Sequence, residues 1–250
     1  MHTEVLHQVI NKRRTVAPRR GLIVEAHVDD RKMPGITVAL ANNGVGITIL
    51  TLTNSDGRNL PHITPEQLAE IRWPESIAHG EQINAAEVYR GNIPDGELSN
   101  HLSLGESILQ EISGNTSFDF FIAPHPDDNH PDHRAAYAVA QAVAGNTTPL
   151  YASDTITGIG RDGQLIVPTH HIRLSRRSAR RENKGYKRNR SQVTELPLDE
   201  MRDVHAVLAM SQRRGREIGV SHATVLLKEI SGNSADPIAE ILGGAVSISR

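Results

Sequence analysis

The amino-acid sequence predicts a three-layer α/β fold, and three observations lead to this expectation. Short apolar stretches rich in β-branched residues alternate with stretches of helical length, a pattern typical of parallel strands connected by helices. The length of 250 residues suits one large α/β domain or two small ones, and no linker rich in Pro, Gly and Ser divides the chain. Apolar residues make up 38% of the chain and the net charge is −2, which favours a packed core over extended disorder. We therefore predict a single domain over residues 1–250.

The first predicted elements are defined by apolar runs and by the turn residues that end them. Residues 1–20 are polar and basic, and we expect a lead-in helix or a loose arm there. The run Gly-Leu-Ile-Val-Glu-Ala predicts a buried strand over 21–26. A helix is expected from Gly35 to Ala41, and a strand rich in β-branched residues over 45–53 follows an Asn-Asn-Gly turn.

The second half of the predicted fold begins at a helix start signal. Thr64 before Pro65 is typical of an N-cap followed by a first-turn proline, and we expect this helix to be interrupted at Pro74. The remaining predicted elements are a strand over 88–93, a helix over 104–112, a strand over 118–123 and a helix over 134–144. This β-α-β-α-β-α order predicts a Rossmann-like fold with a mostly parallel sheet and helices on both faces.

The composition excludes several classes of function. The chain contains no cysteine, which excludes disulfides, thiolate zinc fingers, cysteine-ligated iron–sulfur clusters and a cysteine nucleophile. Aromatic residues make up only 3%, so we expect no base-stacking surface and no nucleic-acid partner. No stretch of 18 residues is free of polar groups, and no membrane span is expected. Residues 1–20 lack the apolar run of a secretory signal, and we therefore expect a cytoplasmic protein.

Two histidine–aspartate motifs directly follow predicted strands, where ligands bind in sheets of this kind. His27-Val-Asp-Asp30 follows the first predicted strand, and His-Pro-Asp-His at 130–133 follows the last one. Adjacent carboxylates repel each other unless a cation offsets their charge. Together the motifs offer His27, Asp30 and His133 as three nitrogen and oxygen ligands, and three protein ligands with an open water position are typical of catalytic zinc.

Residues beside the predicted ligands are candidates for catalysis. Asp29 is not needed as a ligand, and a free carboxylate at this place can take a proton from a water molecule. His130 lies on the other side, where it either stabilises an oxyanion or donates a proton to a leaving amine. Asp127 and Asp128 are either solvated loop acids or part of the pocket mouth.

Taken together, these motifs resemble those of the PIG-L/LmbE-like family of zinc-dependent de-N-acetylases. The resemblance runs from about residue 21 to about residue 225 and is strongest in about the first 145 residues. The matching segments are Ala26–Arg31 for the family's Ala-His-Pro-Asp-Asp-Glu, Thr53–Asp56 for its Thr-x-Gly-Asp turn, Arg72–Glu75 for Arg-x-x-Glu, Pro94–Gly96 for Pro-Asp-Gly, His130–His133 for His-Pro-Asp-His, and Arg214–Thr224 for a late Arg-Gly…Gly-Val-x-Tyr-Ala-Glu stretch.

The resemblance implies a zinc-dependent enzyme that removes the N-acetyl group of a small amino sugar or amino-sugar conjugate. It implies that His27, Asp30 and His133 bind zinc, although two histidines and one aspartate also accept other divalent ions. The other implied roles are Asp29 as general base, His130 as oxyanion stabiliser, Asp132 as the residue that orients a histidine, and Arg72 and Asp95 as contacts to sugar hydroxyls.

Four departures from the family's pattern put the substrate in doubt more than the metal site. Val28 replaces a proline, Ser55 replaces the turn glycine, and His222–Thr224 replaces the late Tyr-Ala-Glu. Arg31 replaces a glutamate, and a cation beside the metal loop would weaken zinc binding or pair with an anionic substrate. Two alternatives stay open: a catalytically inactive member that binds a ligand or scaffolds a complex, and a metal-dependent phosphoesterase.

A basic segment over residues 173–190 contains nine Lys and Arg residues and one acid. Its net charge of +8 leaves −10 for the rest of the chain. The segment is either a solvated face or a contact for an anionic ligand or for a second subunit of a homo-oligomer. A sequence pI of about 6.7 argues against nucleic acid as the partner.

Overall fold

A computed structural model describes residues 5–30, 35–57, 62–155, 157–193, 201–228 and 235–248. The strands are β1 (Leu6–Val9), β2 (Arg19–Glu25), β3 (Val45–Thr53), β4 (Glu87–Ile93), β5 (Phe120–Ala123), β6 (Leu150–Ser153), β7 (His170–Arg173), β8 (Ala223–Lys228) and β9 (Val246–Ile248). The α-helices are α1 (Lys12–Thr15), α2 (Ile36–Asn42), α3 (Pro65–Ile83), α4 (Leu102–Gly114), α5 (Pro131–Ala144), α6 (Arg176–Tyr186), α7 (Arg190–Val193), α8 (Met201–Glu217) and α9 (Pro237–Leu242).

The nine strands form one mixed sheet in the order β1-β4-β3-β2-β5-β6-β8-β7-β9. The five central strands from β4 to β6 pair in parallel, whereas the other four pairings are antiparallel. The expectation of a mostly parallel sheet is therefore wrong. The predicted alternation of strands and helices covers β2 to β5, and each antiparallel pairing involves β1, β8 or β9, which lie outside it.

Helices cover both faces of the sheet, as predicted. Alternate side chains of a strand point to opposite faces, so Leu22 of β2 packs in one apolar cluster and Ile23 in the other. The first cluster includes residues of α4 and α5, such as Leu109 and Val139. The second includes residues of α2, α3 and α9, such as Leu40. The molecule is therefore a three-layer α/β structure, while its organisation as a single domain over residues 1–250 stays a prediction.

Helix α3 differs from the expectation because it continues through Pro74. Its start has the predicted cap, since Thr64 and Gln67 form a reciprocal capping box. A proline inside a helix costs about 3 kcal/mol, partly through a lost backbone hydrogen bond. Pro74 and Glu70, whose carbonyl loses that bond, both lie on the exposed side, where water can solvate the carbonyl. Buried residues on either side of the proline, such as Leu68 and His79, hold the two halves against the sheet.

The N-terminal segment is part of the sheet rather than a lead-in helix or a loose arm. Residues 6–9 form β1, which pairs antiparallel with β4, and the following helix α1 has only four residues. Among the described residues, no helix has the length and apolar character needed to cross a membrane.

Candidate metal centre

The two predicted motifs meet at the carboxyl edge of the central strands. β2 leads into the loop that carries His27, and β5 leads through residues 124–130 into α5, which carries His133. Because β2 and β5 are parallel neighbours, both connections leave the sheet at the same edge. The ring centroids of His27 and His133 are 5.5 Å apart.

Asp30 links the two histidines. Its Oδ2 accepts the backbone N–H of His27 at 2.7 Å and lies 3.1 Å from the ring Nδ1, while its Oδ1 lies 2.8 Å from Nε2 of His133. Burial opposes ionisation of Asp30, but the charges of His133 and His27 outweigh it and hold its pKa well below the usual range. Burial also opposes protonation of the rings, yet Asp30 raises the pKa of His133 to about 9 and that of His27 well above its ordinary value. The three predicted ligands therefore form one charge-coupled cluster.

The outer nitrogen of each histidine faces a carboxylate. Nε2 of His27 lies 3.0 Å from Asp95 Oδ1 and 3.2 Å from Asp132 Oδ2. Nδ1 of His133 lies 3.0 Å from Asp128 Oδ1. Metal-ligating histidines almost always donate their second N–H to a carboxylate, a carbonyl or water, which orients the ring. The surroundings of both rings therefore match those of metal ligands.

The donor set fits a divalent cation. Ligand atoms of His27, His130 and His133 lie within 4.8 Å of one another, and so do those of His27, Asp29 and Asp30. Bonds of about 2.1 Å to a tetrahedral zinc ion place neighbouring ligand atoms about 3.4 Å apart. The oxygens of Asp30 lie 2.8 Å from a ring nitrogen of His133 and 3.1 Å from one of His27, slightly closer than this separation.

Asp132 is fully buried and connects three parts of the site. Its carboxylate accepts the backbone N–H groups of Gly96 at 2.7 Å and of Leu98 at 3.2 Å. Although burial opposes ionisation, these contacts and His27 lower the pKa of Asp132. The structure places this carboxylate against His27, whereas the backbone N–H of Asp132 donates to Nδ1 of His130 at 3.2 Å.

His130 is the N-cap of α5 and adjoins both ligand rings. Its centroid lies 4.8 Å from those of His27 and His133. Burial and the positive charge of these rings lower the pKa of His130. Because Nδ1 accepts a backbone N–H, the neutral ring must carry its proton on Nε2. His130 is therefore suited to donate a hydrogen bond from Nε2.

Asp29 is half-buried beside the cluster, within reach of His27 and Asp30. The next residue in the motif, Arg31, lies outside the described residues, so its predicted effect on the metal loop stays a prediction.

The turn after β3 supports the metal loop. Ser55 has a φ of 60°, a left-handed conformation that glycine adopts without strain. Its hydroxyl accepts the backbone N–H of Val28 at 3.1 Å, and its carbonyl accepts a hydrogen bond from Arg72. Arg72 is only 2% exposed, and neither Arg72 nor Asp95 lines the cavity described next. Their contacts to sugar hydroxyls stay predictions.

A cavity of about 390 Å³ opens over the cluster. This size is within the range of small-molecule sites. Its described lining is rich in carboxylate, imidazole and hydroxyl groups and contains no Lys or Arg; it comprises Asp30, Pro124, Asp128, Asn129, His130, Pro131, His133, Ser153, Asp154, Thr155 and Thr157.

The wall formed by Ser153, Asp154, Thr155 and Thr157 was not found from the sequence. Arg214, 60 positions away, donates from Nε and from its NH2 group to the two oxygens of Asp154 at 2.8 and 3.0 Å. Its NH1 group donates to Glu217 at 3.0 Å. Burial disfavours the cation, but Asp154 and Glu217 outweigh this effect and raise the pKa of Arg214. Two signals in the sequence could have marked this wall: the position of Asp154 after an apolar run and the place of Arg214 at the start of the late family-like stretch.

Comparison with known families gives the class of protein. Residues 22–144 match the family model described as PIG-L, GlcNAc-PI de-N-acetylase. These residues therefore form a PIG-L family domain, and the resemblance indicated by the motifs is confirmed. No curated protein matches the chain.

Several solved structures share the fold. N,N'-diacetylchitobiose deacetylase from Pyrococcus horikoshii is 18% identical, with a TM-score of 0.68 over 88% of this chain and 86% of that one. The zinc-inhibited form of teicoplanin deacetylase Orf2 is 12% identical, with a TM-score of 0.69 over 86% and 100%. GalB from Pseudomonas putida KT2440, a 4-carboxy-2-hydroxymuconate hydratase, is 15% identical, with a TM-score of 0.61 over 87% and 99%. Because a hydratase shares the fold, the reaction must be argued from the site.

Proposed function

We propose that the protein is a metal-dependent de-N-acetylase that hydrolyses the amide of an N-acetylated amino sugar or of a conjugate of one. The observation that carries this proposal is the cluster of His27, Asp30 and His133, with Asp29 and His130 beside it at the cavity. The structural neighbours include an N,N'-diacetylchitobiose deacetylase and a teicoplanin deacetylase, which supports this substrate class.

The three ligands would hold zinc or another divalent ion of similar ligand preference. The bound ion would supply Lewis acidity for the amide carbonyl and would favour ionisation of water. Asp128, Asp132 and Asp95 hold the outer nitrogens of the histidines and so orient their inner nitrogens.

Asp29 would act as the general base. Its carboxylate is close to Asp30 and His27 without being needed as a ligand. It would accept one proton of the attacking water as the oxygen bonds to the amide carbon. The same carboxyl group would return that proton to nitrogen when the C–N bond breaks, releasing acetate and a free amine.

His130 would stabilise the oxyanion through Nε2–H. The lowered pKa of His130 keeps the ring neutral, so Nε2–H is its only N–H donor. A neutral imidazole is a poor proton source because it would become an anion. The contacts of the ring thus favour hydrogen bonding over proton donation, the two roles that the sequence left open.

The sugar would lie along residues 153–155 and Thr157 and near Asp95. Ser153, Thr155 and Thr157 line the cavity and carry hydroxyl groups, and those of the two threonines also bond to the backbone of Ile159. Asp95 would contact a sugar hydroxyl, and the charge of Arg72 contributes to the lowered pKa of this carboxyl although burial opposes it. A cytoplasmic location, a homo-oligomeric state and the absence of a nucleic-acid partner stay predictions.

The phosphoesterase alternative finds no support in the cavity. Such a reaction would gain from cations against the phosphate oxygens. The described lining of the cavity contains no Lys or Arg, and the cations of α6 line a separate groove.

Acetate release tests the proposal. The purified protein, supplied with zinc, is incubated with N-acetylglucosamine and with N,N'-diacetylchitobiose, and acetate and free amine are quantified together. We expect equal amounts of both products, and we expect Asp29→Ala to lose turnover while retaining its metal. Asp127→Ala is the matched control, because this loop acid does not line the cavity. Metal-loaded protein that releases no acetate from either sugar would favour the inactive, ligand-binding alternative.

A further inference from the structure

The outer face of α6 forms a concave cationic surface away from the metal centre. A groove of about 440 Å³ is lined by five cations of α6 and one residue of α3, namely Arg176, Arg177, Arg180, Arg181, Lys184 and Gln82. No residue lines both this groove and the metal-centre cavity. We call it the α6 groove.

The positive charges of the α6 groove are not compensated within the described part of the chain. None of its five cations forms an ion pair with a described carboxylate. The acid within α6, Glu182, is 1% exposed and does not line the groove. Positions 176/180, 177/181 and 180/184 are like-charged at i and i+4, which destabilises a helix. An external anion would relieve this repulsion.

The field of these cations reaches neighbouring groups. Burial and then the charge of Arg181 lower the pKa of Arg14. Burial followed by the charges of Arg176 and Arg180 lowers the pKa of His222. The groove therefore favours negative charge over a wider area than its own lining.

Gln82 accepts hydrogen bonds from two arginines at the groove. Its backbone carbonyl accepts from Nε of Arg181 at 2.6 Å, and its side-chain oxygen accepts from Arg188 at 3.2 Å. The two terminal nitrogens of Arg181 remain for a ligand, because only Nε is used by Gln82. Arg188 lies in an adjoining pocket that it shares with Arg181, Gln82 and the carboxylate-bearing Glu81.

We infer that the α6 groove binds a compact ligand that carries two or more phosphate charges. Planar guanidinium groups match phosphate oxygens through paired hydrogen bonds, and four arginines line the groove. The volume suits a small molecule or a headgroup. The lining contains no aromatic residue on which the bases of a single-stranded nucleic acid would stack. This inference does not depend on the proposed deacetylase activity.

Binding of inorganic pyrophosphate tests the inference. Affinity is measured by calorimetry on the full chain at constant ionic strength, with chloride as the reference anion. We expect saturable binding that the double variant Arg177→Gln/Arg180→Gln weakens at least about tenfold, since hydrogen bonds to charged groups are lost. The control variant Lys12→Gln/Arg13→Gln removes the same charge from exposed residues outside the groove lining and should bind like the wild type.

Sedimentation with vesicles distinguishes the two sources of phosphate. Vesicles of phosphatidylcholine with and without phosphatidylinositol 4-phosphate are compared for the same three proteins. Binding to free pyrophosphate assigns a soluble ligand, and binding only to the phosphoinositide vesicles assigns a lipid headgroup; both support the inference if the groove variant loses them. The inference is overturned if neither probe binds, or if the groove variant and the control bind equally, as they would if pyrophosphate occupied the metal centre.

Discussion

The candidate metal centre and the α6 groove are two strongly charged regions of the described chain, and they differ in whether opposite charges lie close together. At the metal centre Asp30 lies 2.8 Å from one ring and 3.1 Å from the other, and further carboxylates contact the outer nitrogens. In the α6 groove five cations of one sign face one cavity without a described carboxylate partner. The first region thus satisfies its charges internally and needs only to exchange protons for a metal. The second is incomplete without an external anion.

The largest expected effect comes from breaking the charge pairing at the metal centre. Asp30→Ala removes a predicted ligand and leaves His27 and His133 without their shared partner. Metal measured by elemental analysis should fall from about one ion per chain to near none. Acetate release should drop at least about a hundredfold, because even substitutions outside the ligand set cost about 10- to 100-fold. Full metal content in Asp30→Ala would show that the cluster is not the metal site.

The second-largest effect is expected from breaking the ion pair between Arg214 and Asp154 in the cavity wall. Arg214→Met leaves the carboxylate of Asp154, whose side chain is 3% exposed, without its two closest donors. Removing one partner of a buried ion pair lowers the free energy of unfolding by about 3–5 kcal/mol. Urea unfolding of the variant and the wild type will measure this loss. The double variant Arg214→Met/Asp154→Leu should recover much of this loss, because no unpaired charge remains. Equal losses in the single and double variants would mean that packing rather than charge governs this wall.

Reversing one charge in the α6 groove should raise the free energy of unfolding, by less than the loss of Arg214 lowers it. Arg180→Glu converts two repulsive i,i+4 pairs, with Arg176 and Lys184, into attractive ones. Unfolding free energy should rise by about 1 kcal/mol or less, while pyrophosphate binding is lost. Arg216→Glu on α8 changes the net charge equally, at an exposed residue outside the groove lining. This control should neither raise the free energy of unfolding nor abolish pyrophosphate binding. A destabilised Arg180→Glu variant would show that the cations of α6 are compensated.

The smallest expected effect is on the titration of His222. Burial and the cations Arg176 and Arg180 lower its pKa, so the unfolded chain binds this proton more readily than the folded protein. Stability from this residue is therefore present at neutral pH and is lost as pH falls below about 6.5, the ordinary pKa of histidine. In an NMR titration, Arg176→Gln/Arg180→Gln should shift the pKa of His222 upward, and pyrophosphate should do the same in the wild type. An unchanged pKa in both cases would show that the field of α6 does not reach His222.

The predictability of the fold differs along the chain for a physical reason. Strand β3 has the predicted bounds, because nine consecutive buried residues between turn residues mark it without tertiary information. The strands β6 to β9 were not predicted. They are short, and they pair with segments that are distant in the chain, as β6 does with β8. The helix that begins at Pro65 was expected to be interrupted at Pro74, but buried residues on either side of Pro74 keep α3 continuous.

In the candidate site, too, the sequence predicted the locally determined features and missed those that depend on tertiary contacts. The sequence identified His27, Asp30 and His133, because short motifs at strand ends specify ligand chemistry locally. It named Asp128 as a candidate for the pocket mouth, where this residue does line the cavity. It did not reveal the contact of Asp128 with His133 or the pairing of Arg214 with Asp154, 60 positions away.

The sequence by itself determined the class of fold, the family, the chemistry of the candidate metal ligands and the presence of one strongly basic segment. These properties follow from local pattern: apolar runs set strands, caps set helices, and residue types set ligand preference. Only the tertiary structure decided that the sheet is mixed, that Asp30 bridges two histidines, and that the cations of α6 face a groove rather than the metal centre. Such properties depend on which distant segments become neighbours, and that is settled by packing of the whole chain.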